Sequence, residues 1–525
     1  LNNSDILGTS IYLPYFHIIN DSKDITLKPT IFDKDIQMYQ GEYRQKNLNS
    51  SFIADVNFVN GYKSKSLNKK KSLTHIFSKY DLDLKFKNYI KSFVSIFFEK
   101  SNNDTYLKVF DSNLFDVDKS IKPKNTSTLH SGIKVELDHK NFNFLGGMDI
   151  YENLTIGNSS DKYQYVLPYY DFSKNLVTNE IGSLEFNSVG SNKLSNTNNL
   201  RSRVINNLNF NSHSFYTDLG LKNNINIYFK NLNTIAKNDN KYKSSPSMQI
   251  ANIYEFNSSL PLKKINKHVS EYLEPKISLR INPSDMQNNS SNKRLINTDN
   301  IFDINRIGSN DTFESGKSVT LGIDYKKETN TNIITTDVIN NFFEVKLATA
   351  FRDKKENYIP VSSTLNQKNS NLFGSIKNHY YPISDKYAIN SLGFDYYFSL
   401  NNLSDLEYNS LTGEISFYDF TTSIKFIEEN GPIGDSNILE NSFTYKIDEL
   451  NFISFNTRRN KKINLTEYYD LLYEYKNDCL TAGLKYKKTY YQDRDLKPTE
   501  DLMLSFTFYP LTTYEQQIDE NLYRN

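Results

Sequence analysis

The 525-residue sequence has little of what marks the commonest protein classes. It contains one cysteine, Cys479, and no tryptophan, and its 13 prolines and 19 glycines form no linker that would divide the chain into domains. No stretch approaches the roughly 18 consecutive apolar residues of a membrane-spanning helix. If the chain crosses a membrane, it must do so as a closed β-sheet, because unpaired strand edges are not tolerated in lipid.

The sequence also lacks a charge surplus and catalytic motifs. Its formal net charge of +1 argues against nucleic acid as a partner, since nucleic-acid-binding proteins are usually basic. Seven histidines show no metal-ligand spacing, and neither Gly-x-Ser-x-Gly nor a phosphate-binding loop occurs. His139, Asp138 and one of the serines could be named as a catalytic triad, but neither their spacing nor their sequence context supports one. We therefore expect no enzyme activity, no metal site and no cofactor.

What the sequence does contain is an alternation of apolar and polar residues at period two. Leu273, Pro275, Ile277, Leu279 and Ile281 alternate with Glu274, Lys276, Ser278 and Arg280, and residues 52–58, 142–150, 215–221, 319–325, 392–400 and 502–508 repeat the pattern. Successive side chains of a β-strand point to opposite faces, so each segment has one apolar and one wet face. The pattern predicts an all-β chain and a large antiparallel transmembrane β-barrel.

The composition agrees with a barrel. Only 38% of the residues are hydrophobic, and the mean hydropathy is −0.61, which is low for a soluble protein of this length. A barrel with a watery lumen needs apolar residues only on its outer band. The 38 tyrosines and 35 phenylalanines suit interfacial girdles, although a biased genome would give a similar composition.

Polar stretches of two lengths separate the alternating segments. The long ones are residues 111–131, 187–201, 236–247, 284–317, 353–370 and 428–440. Outer-membrane barrels have long external loops and short periplasmic turns, which fits this division. Strands and connections of about ten residues each predict about 25 strands. The wet faces would place Asp55, Asn57, Asp149, Asp324 and Asp395 along the lumen.

Several short blocks stand in a characteristic order along the chain. They begin with Tyr12-Leu13-Pro14-Tyr15-Phe16, residues 24–29 and residues 41–45, and continue with residues 104–107, 161–168, 273–276, 300–306, 473–479 and 493–495. Together they resemble the barrel domain of the outer-membrane lipopolysaccharide-assembly family, LptD or organic solvent tolerance protein, in its alphaproteobacterial style.

The resemblance implies a 26-stranded barrel in the Gram-negative outer membrane, with a lateral gate between its first and last strands. Lipopolysaccharide would be the cargo, an LptE-like lipoprotein would plug the lumen, and barrel-assembly machinery would act during folding. A periplasmic bridge protein would deliver cargo through an N-terminal jelly-roll domain. We expect residues 1–512 to form about 25 strands without that domain or the first strand, and residues 513–525 to form a periplasmic tail.

Five residues are candidates for the gate: Pro14, Tyr15, Leu504, Phe506 and Phe508. Proline within a strand removes a ladder hydrogen bond, and the family has a gate-weakening proline in this setting. An incidental edge proline is the alternative for Pro14, and Pro29 could simply end a strand. The outward residues of the last strand also resemble the signal for barrel-assembly machinery, or are ordinary lipid-facing side chains.

Cys479 lies in a short turn that counting back from the C-terminus places on the periplasmic side, an oxidising compartment. The resemblance implies a disulfide to the N-terminal domain, and an inert thiol is the alternative. For the whole chain, the alternative functions are a large porin or receptor-type transporter barrel and, from another class, a secreted adhesin built of β-sandwich repeats.

Overall fold

The computed structural model describes most of the chain. The described residues are 2–4, 7–32, 35–63, 70–110, 121–156, 160–196, 198–266, 268–284, 294–308, 311–312, 314–333, 336–382, 389–490, 499–508 and 512–517. Within these ranges, no helix is long and apolar enough to cross a membrane.

The described residues form one antiparallel sheet. Its strands are β1 (Asn2–Ser4), β2 (Gly8–Tyr12), β3 (Tyr15–Asn20), β4 (Lys23–Phe32), β5 (Gln37–Lys46), β6 (Ser50–Lys63), β7 (Lys70–Asp83), β8 (Tyr89–Ser101), β9 (Thr128–His139), β10 (Phe142–Asn153), β11 (Tyr163–Thr178), β12 (Gly182–Ser195), β13 (Asn199–Ser212), β14 (Phe215–Tyr216), β15 (Lys222–Lys237), β16 (Ser247–Ser259), β17 (Leu262–Asn266), β18 (Val269–Asn282), β19 (Gly316–Ile333), β20 (Thr336–Arg352), β21 (Leu372–Tyr380), β22 (Ile389–Leu400), β23 (Leu406–Phe417), β24 (Phe420–Glu429), β25 (Ser436–Lys446), β26 (Asn451–Asn460), β27 (Leu465–Lys476), β28 (Leu480–Thr489), β29 (Thr499–Phe508) and β30 (Thr512–Gln517). The helix α1 (Tyr106–Val109) and two 3-10 turns, Ser160–Lys162 and Val361–Ser363, complete the described elements.

The sheet closes on itself. From β4 to β29 each long strand pairs with the next one along the chain, and β1 and β30 bridge β29 to β2. β2 and β3 count as one wall strand, because both pair with β4. Without the short strands β1, β14, β17 and β30, the described strands then form twenty-five wall positions. The bridge fills a twenty-sixth position. The predicted all-β antiparallel barrel of this size is confirmed.

The connections divide the barrel into two ends. Residues 102–127, 283–315 and 353–371 connect strands at one end, which we call the loop end. Connections of two residues, at 21–22, 140–141 and 418–419, lie at the opposite end, which we call the turn end. In outer-membrane barrels the long loops are external and the short turns are periplasmic.

Alternate side chains of each strand point outwards and form an apolar band. Val56, Ile133, Leu279, Leu321 and Leu484 are examples of large hydrophobic residues that stay exposed on the outer face. A protein in water rarely leaves so much continuous apolar surface exposed, whereas a membrane-spanning barrel requires it.

The lumen is not empty, which corrects the expectation that the barrel has no core to fill. Three clusters of buried hydrophobic residues pack inside it. In the first, α1 packs on the inward face of the N-terminal strands; in the third, Ile296, Ile301 and Ile307 of the 283–315 connection pack against Ala348 and Phe373 of the wall. Apolar residues therefore occur inside the barrel, on loops that fold inwards, as well as on the outer face.

Three local predictions were wrong. Residues 428–440, expected to be a long loop, are the ends of β24 and β25 joined by residues 430–435. Residues 187–201, expected to be a loop, are the facing halves of β12 and β13, joined by residues 196–198. Residues 215–221, expected to be a strand, form only the two residues of β14 and a turn, in which Gly220 has a positive φ and Thr217 and Leu221 are hydrogen-bonded. Glycine adopts this conformation without steric cost, so the turn overrides the alternation.

The assignment of the two ends predicts which hairpins are accessible from outside the cell. An epitope inserted after Leu403, between β22 and β23, should be bound by antibody on intact cells, whereas one inserted after Tyr418, between β23 and β24, should be bound only after the outer membrane is permeabilised. Both sites are exposed tips of adjacent hairpins, so each serves as the control for the other. Antibody binding to intact cells at Tyr418 alone would reverse the orientation.

Candidate functional site

The wall is interrupted at one seam, where β29 approaches the N-terminal strands. β1 meets β29 only at Asn2–Met503 and Asn3–Leu502. β30 pairs with β29 from Met503 to Phe508, and within the described part of the chain it pairs with β2 only through Gln516–Ile11. By comparison, β12 and β13 pair along their whole lengths. Few backbone hydrogen bonds therefore hold the two sides of the seam together. Residues 513–525, expected to be a periplasmic tail, contribute part of β30, and residues 518–525 lie outside the described residues.

Pro14 breaks the strand beside this seam. β2 ends at Tyr12, β3 begins at Tyr15, and both pair with β4, so a single wall strand is split at Leu13 and Pro14. Proline offers no N–H to the ladder, which explains the break. Pro29 does not end its strand: it lies inside β4, in the register position opposite the break, and pairs with Tyr39 of β5.

Beyond the break, β3 runs to the turn end with one edge open. It pairs with β4 from Tyr15–Leu27 to Asn20–Lys23, and within the described residues no strand pairs with its other edge. All six residues of β3 are exposed, including Tyr15 at 60%. Among the described residues β3 is therefore a strand with one unpaired edge, and such edges are disfavoured in lipid.

The other gate candidates lie across the seam on β29. Leu504 and Phe506 pair with Leu484 and Ala482 on β28 and with β30 on the other edge. Phe508 ends β29, and its side chain lies outside the described residues. The structure thus places the candidates on the two strands that flank the seam, with β30 between them.

Asp55 and Asn57 point inwards, but α1 covers them. Nε2 of His75 lies 2.6 Å from Oδ1 of Asp55, and its Nδ1 lies 2.9 Å from the Tyr106 hydroxyl on α1. Gln40 donates to both Asp55 oxygens at 3.0 Å, and Asn57 donates to the Tyr106 hydroxyl. These residues therefore anchor the loop after β8 to the wall and do not face open lumen.

The other three predicted lumen residues each have a basic neighbour. Oδ1 of Asp149 lies 3.1 Å from Nε2 of His130, Lys276 donates to Asp324 at 2.5 Å, and Nε2 of His379 lies 2.8 Å from Asp395. The Lys276–Asp324 and His379–Asp395 pairs are partly exposed within the barrel, whereas Asp149 is buried. The lumen wall thus carries paired charges of both signs.

A buried charge network ties the 283–315 connection to the inner face of the wall. Arg306, 0% exposed, donates two hydrogen bonds of 2.6 Å to the carboxylate of Glu314 and further bonds to Thr320 at 2.8 Å and Ser318 at 2.9 Å. Arg352 also donates to Glu314. Burial alone would raise the pKa of Glu314, but the surrounding arginines lower that pKa to about 2.

Two further residues extend this charge network into the wall. Arg280 donates to Glu255 at 2.7 Å and to the carbonyl of Asp303 at 2.8 Å. Sequence reasoning missed Arg306 and Glu314, since a single arginine and glutamate in a polar stretch give no pattern. Only the resemblance, whose block at residues 300–306 includes Arg306, pointed to this connection.

Next to the network lies a polar chamber of about 320 Å³. Arg203 and Lys230 supply positive charge from the wall, and Ile304 and Asn305 close it from the 283–315 connection. Its other lining residues include Asp171, Asn187, Asn207, Asn209 and Tyr228. Amides, an aromatic ring and cations are groups that bind hydroxylated or acidic molecules through hydrogen bonds.

Cys479 is exposed in the connection between β27 and β28, at the turn end, as the counting argument predicts. The Asn477 side chain accepts hydrogen bonds from the backbone N–H groups of Cys479 at 2.9 Å and Leu480 at 2.7 Å, which fixes the turn. The disulfide partner stays a prediction. Within the described residues, no cluster of His, Cys, Asp and Glu could hold a metal ion.

Neither a protein-family model nor any curated protein matches the sequence. Solved structures similar to the chain include the P pilus usher PapC translocation pore (9% identity, 97% of this chain and 98% of that chain, TM-score 0.25). Similar too is the alcaligin outer-membrane receptor FauA of Bordetella pertussis (9% identity, 97% of this chain and 75% of that chain, TM-score 0.28). The same holds for the FrpB iron transporter of Neisseria meningitidis (9% identity, 95% of this chain and 82% of that chain, TM-score 0.38). Sequence identities and TM-scores this low allow no conclusion about the substrate or the partner of this chain.

The assignment to a membrane rests on the chain's own geometry. Its wall is closed, its outer face is apolar, and its connections are long at one end and short at the other. The chain is an integral outer-membrane β-barrel, as the sequence analysis predicts.

Replacing Glu314 with Gln should release the 283–315 connection. The substitution keeps the shape but leaves buried arginines without their carboxylate, which typically costs about 3–5 kcal/mol. We expect faster proteolysis near Asn305 and a larger single-channel conductance. Because its pKa is lowered, wild-type Glu314 should keep the connection anchored as the pH falls through 4.5 and lose it only towards pH 2.

Glu274→Gln is the matched control, since Glu274 faces a partly exposed Lys276 at 3.8 Å. Exposed pairs contribute about 0–1 kcal/mol, so this variant should behave like the wild type. Equal proteolysis and conductance in the two variants would contradict the anchoring role of Glu314.

Proposed function

We propose that this chain is the barrel of a lipopolysaccharide translocon, in which acyl chains leave through the seam while the sugars cross the lumen. The observation that carries the proposal is the seam itself. Its two sides share few backbone pairs, Pro14 splits the strand beside it, and β3 presents an open edge at the turn end.

The energetics of the wall favour this place for a lateral exit. Separating a fully paired couple such as β12 and β13 breaks on the order of ten hydrogen bonds, each contributing about 1 kcal/mol in water and more in lipid. Parting β30 from β2 breaks very few. A cargo with acyl chains can therefore leave sideways here at a cost of a few kcal/mol, compared with about 10 kcal/mol or more between fully paired strands.

The lumen supports the passage of the polar part of such a cargo. Its walls carry paired charges, and the chamber presents Arg203, Lys230 and several asparagines to a molecule inside. Amide and guanidinium groups bind sugar hydroxyls and phosphates. The anchored loops narrow the loop end, so large sugars require the 283–315 connection to move.

The proposed partners are those that the resemblance implies, and the two ends of the barrel suggest where each would bind. Because loops occupy the loop end, an LptE-like lipoprotein would enter the lumen from the turn end. The periplasmic bridge protein would deliver cargo at that end too, through an N-terminal domain, and Cys479 faces the same side. Barrel-assembly machinery would act on the strands next to the seam during folding.

Photo-crosslinking tests the route of the cargo. A photoreactive amino acid at Tyr15 or, separately, at Phe506 of the full-length protein should form lipopolysaccharide adducts in irradiated cells, because these residues flank the seam. Phe394, an aromatic residue on the outer face of β22, is the control. A folded barrel with no adduct at Tyr15 or Phe506 would favour the porin or receptor-type function instead.

A reversible lock tests whether the seam must open. Asn3 and Leu502 are directly paired across it, within reach of a disulfide. The double variant Asn3→Cys/Leu502→Cys, in a Cys479→Ser background, should reduce lipopolysaccharide at the cell surface, and a reductant should restore it. The same pair of cysteines at Leu321 and Thr349, which are directly paired on β19 and β20, should have no effect. Unchanged surface lipopolysaccharide with the seam fully oxidised would overturn the gate.

A further inference from the structure

The outer face of β11, β12, β13 and β15 differs from the rest of the band because it carries a continuous row of polar side chains. We call Tyr170, Ser188, Asn206, Asn231 and Asn233 the polar row. Strand pairing places Ser188 beside Asn206 and Asn206 beside Asn231, near mid-height of their strands. The intervening residues Arg203 and Lys230 line the lumen chamber, so the row faces outwards.

Hydrogen bonds connect the row from end to end. The Tyr170 and Ser188 hydroxyls lie 3.2 Å apart, and Ser188 donates to Oδ1 of Asn206 at 2.8 Å. Nδ2 of Asn206 and Nδ2 of Asn233 donate to Oδ1 of Asn231 at 3.1 and 2.5 Å. Polar groups facing hydrocarbon are costly unless they are bonded, so these contacts make the row tolerable in a bilayer.

Two groups of the row keep unused bonding capacity. Among the described contacts, Nδ2 of Asn231 donates to no acceptor and Oδ1 of Asn233 accepts from no donor. They are a donor and an acceptor side by side. A twofold axis would set Nδ2 of each Asn231 against Oδ1 of the other copy's Asn233, which is the reciprocal pairing of an isologous interface.

The surface beside the row has the shape such an interface needs. A groove of about 410 Å³ lies there, lined by Pro168, Tyr170, Gly190, Val204, Ile235 and Met248 among others. The Tyr170 ring lies so close over Gly190 that a Cβ there would be 2.1 Å from it. Met248, 66% exposed, stands on the rim. Methionine side chains adapt to irregular cavities, so one copy's Met248 fits the groove of the other.

We propose that this face binds a second copy of the same chain in a twofold dimer within the bilayer. Side chains that hydrogen-bond across the interface and small residues that permit close approach drive association in lipid, where apolar area alone does not. A lipid acyl chain could fill the groove but has no group to bond Asn231 or Asn233. The proposal does not depend on the cargo of the barrel.

Site-directed crosslinking in outer membranes tests the dimer. Met248→Cys, in a Cys479→Ser background, should give a homodimeric adduct with a short bis-maleimide, whereas Leu484→Cys, an exposed outward residue on β28, should not. Adding Asn231→Leu and Asn233→Leu to the Met248→Cys protein should lower the dimer-to-monomer ratio about tenfold, equivalent to about 1.4 kcal/mol.

Asn378→Leu, which removes an outward amide on β21 far from the row, should leave the ratio unchanged. Heat-modifiable gel mobility shows whether each variant is folded. Equal adducts at Met248 and Leu484, or an unchanged ratio in the folded asparagine variants, would overturn the proposal. An adduct at Met248 to a different protein would also overturn it and assign the face to another partner.

Discussion

The requirement that every backbone polar group find a partner in lipid governs this structure. It forces the wall to close, and closure must be completed between β29 and the N-terminal strands, where Pro14 removes a donor and β1 and β30 share the edge. The wall is therefore strong around most of its circumference and weak at one seam. A barrel built this way can hold a large lumen permanently and still part locally, because the cost of opening scales with the hydrogen bonds broken.

Polar groups that are buried inside the barrel also need hydrogen-bond partners. Loops that fold inwards bring buried backbone and charge with them, and each must be satisfied there. The arginines around Glu314 and the Asp55–His75–Tyr106 contacts do this at two separate points of the wall. The two anchors hold parts of the 102–127 and 283–315 connections, both at the loop end, against the inner face of the wall. Movement of a loop is thereby linked to the loss of a specific set of hydrogen bonds.

The polar row connects the fold to its surroundings. Within residues 187–201, which resemble a loop in sequence, Ser188 lies in β12 and donates to Asn206 of β13, which in turn donates to Asn231 of β15 on the outer face. Polar side chains on an otherwise apolar face are tolerated when they hydrogen-bond to one another. Such exceptions to the alternation are most frequent at functional surfaces. The row and the seam lie in different sectors of the wall, so association of two copies would leave the seam free.

The sequence by itself determined the all-β class, the barrel, its size and the direction of its strands, because period-two alternation and connection length are local properties. It also indicated that Pro14 interrupts the hydrogen-bond ladder of a wall strand and that Cys479 lies at the turn end. The tertiary structure alone decided that Asp55 lies under α1, that Arg306 and Glu314 meet, and that polar side chains of four strands form one row. Each of these depends on register and loop packing between residues distant in the chain, which no local pattern encodes.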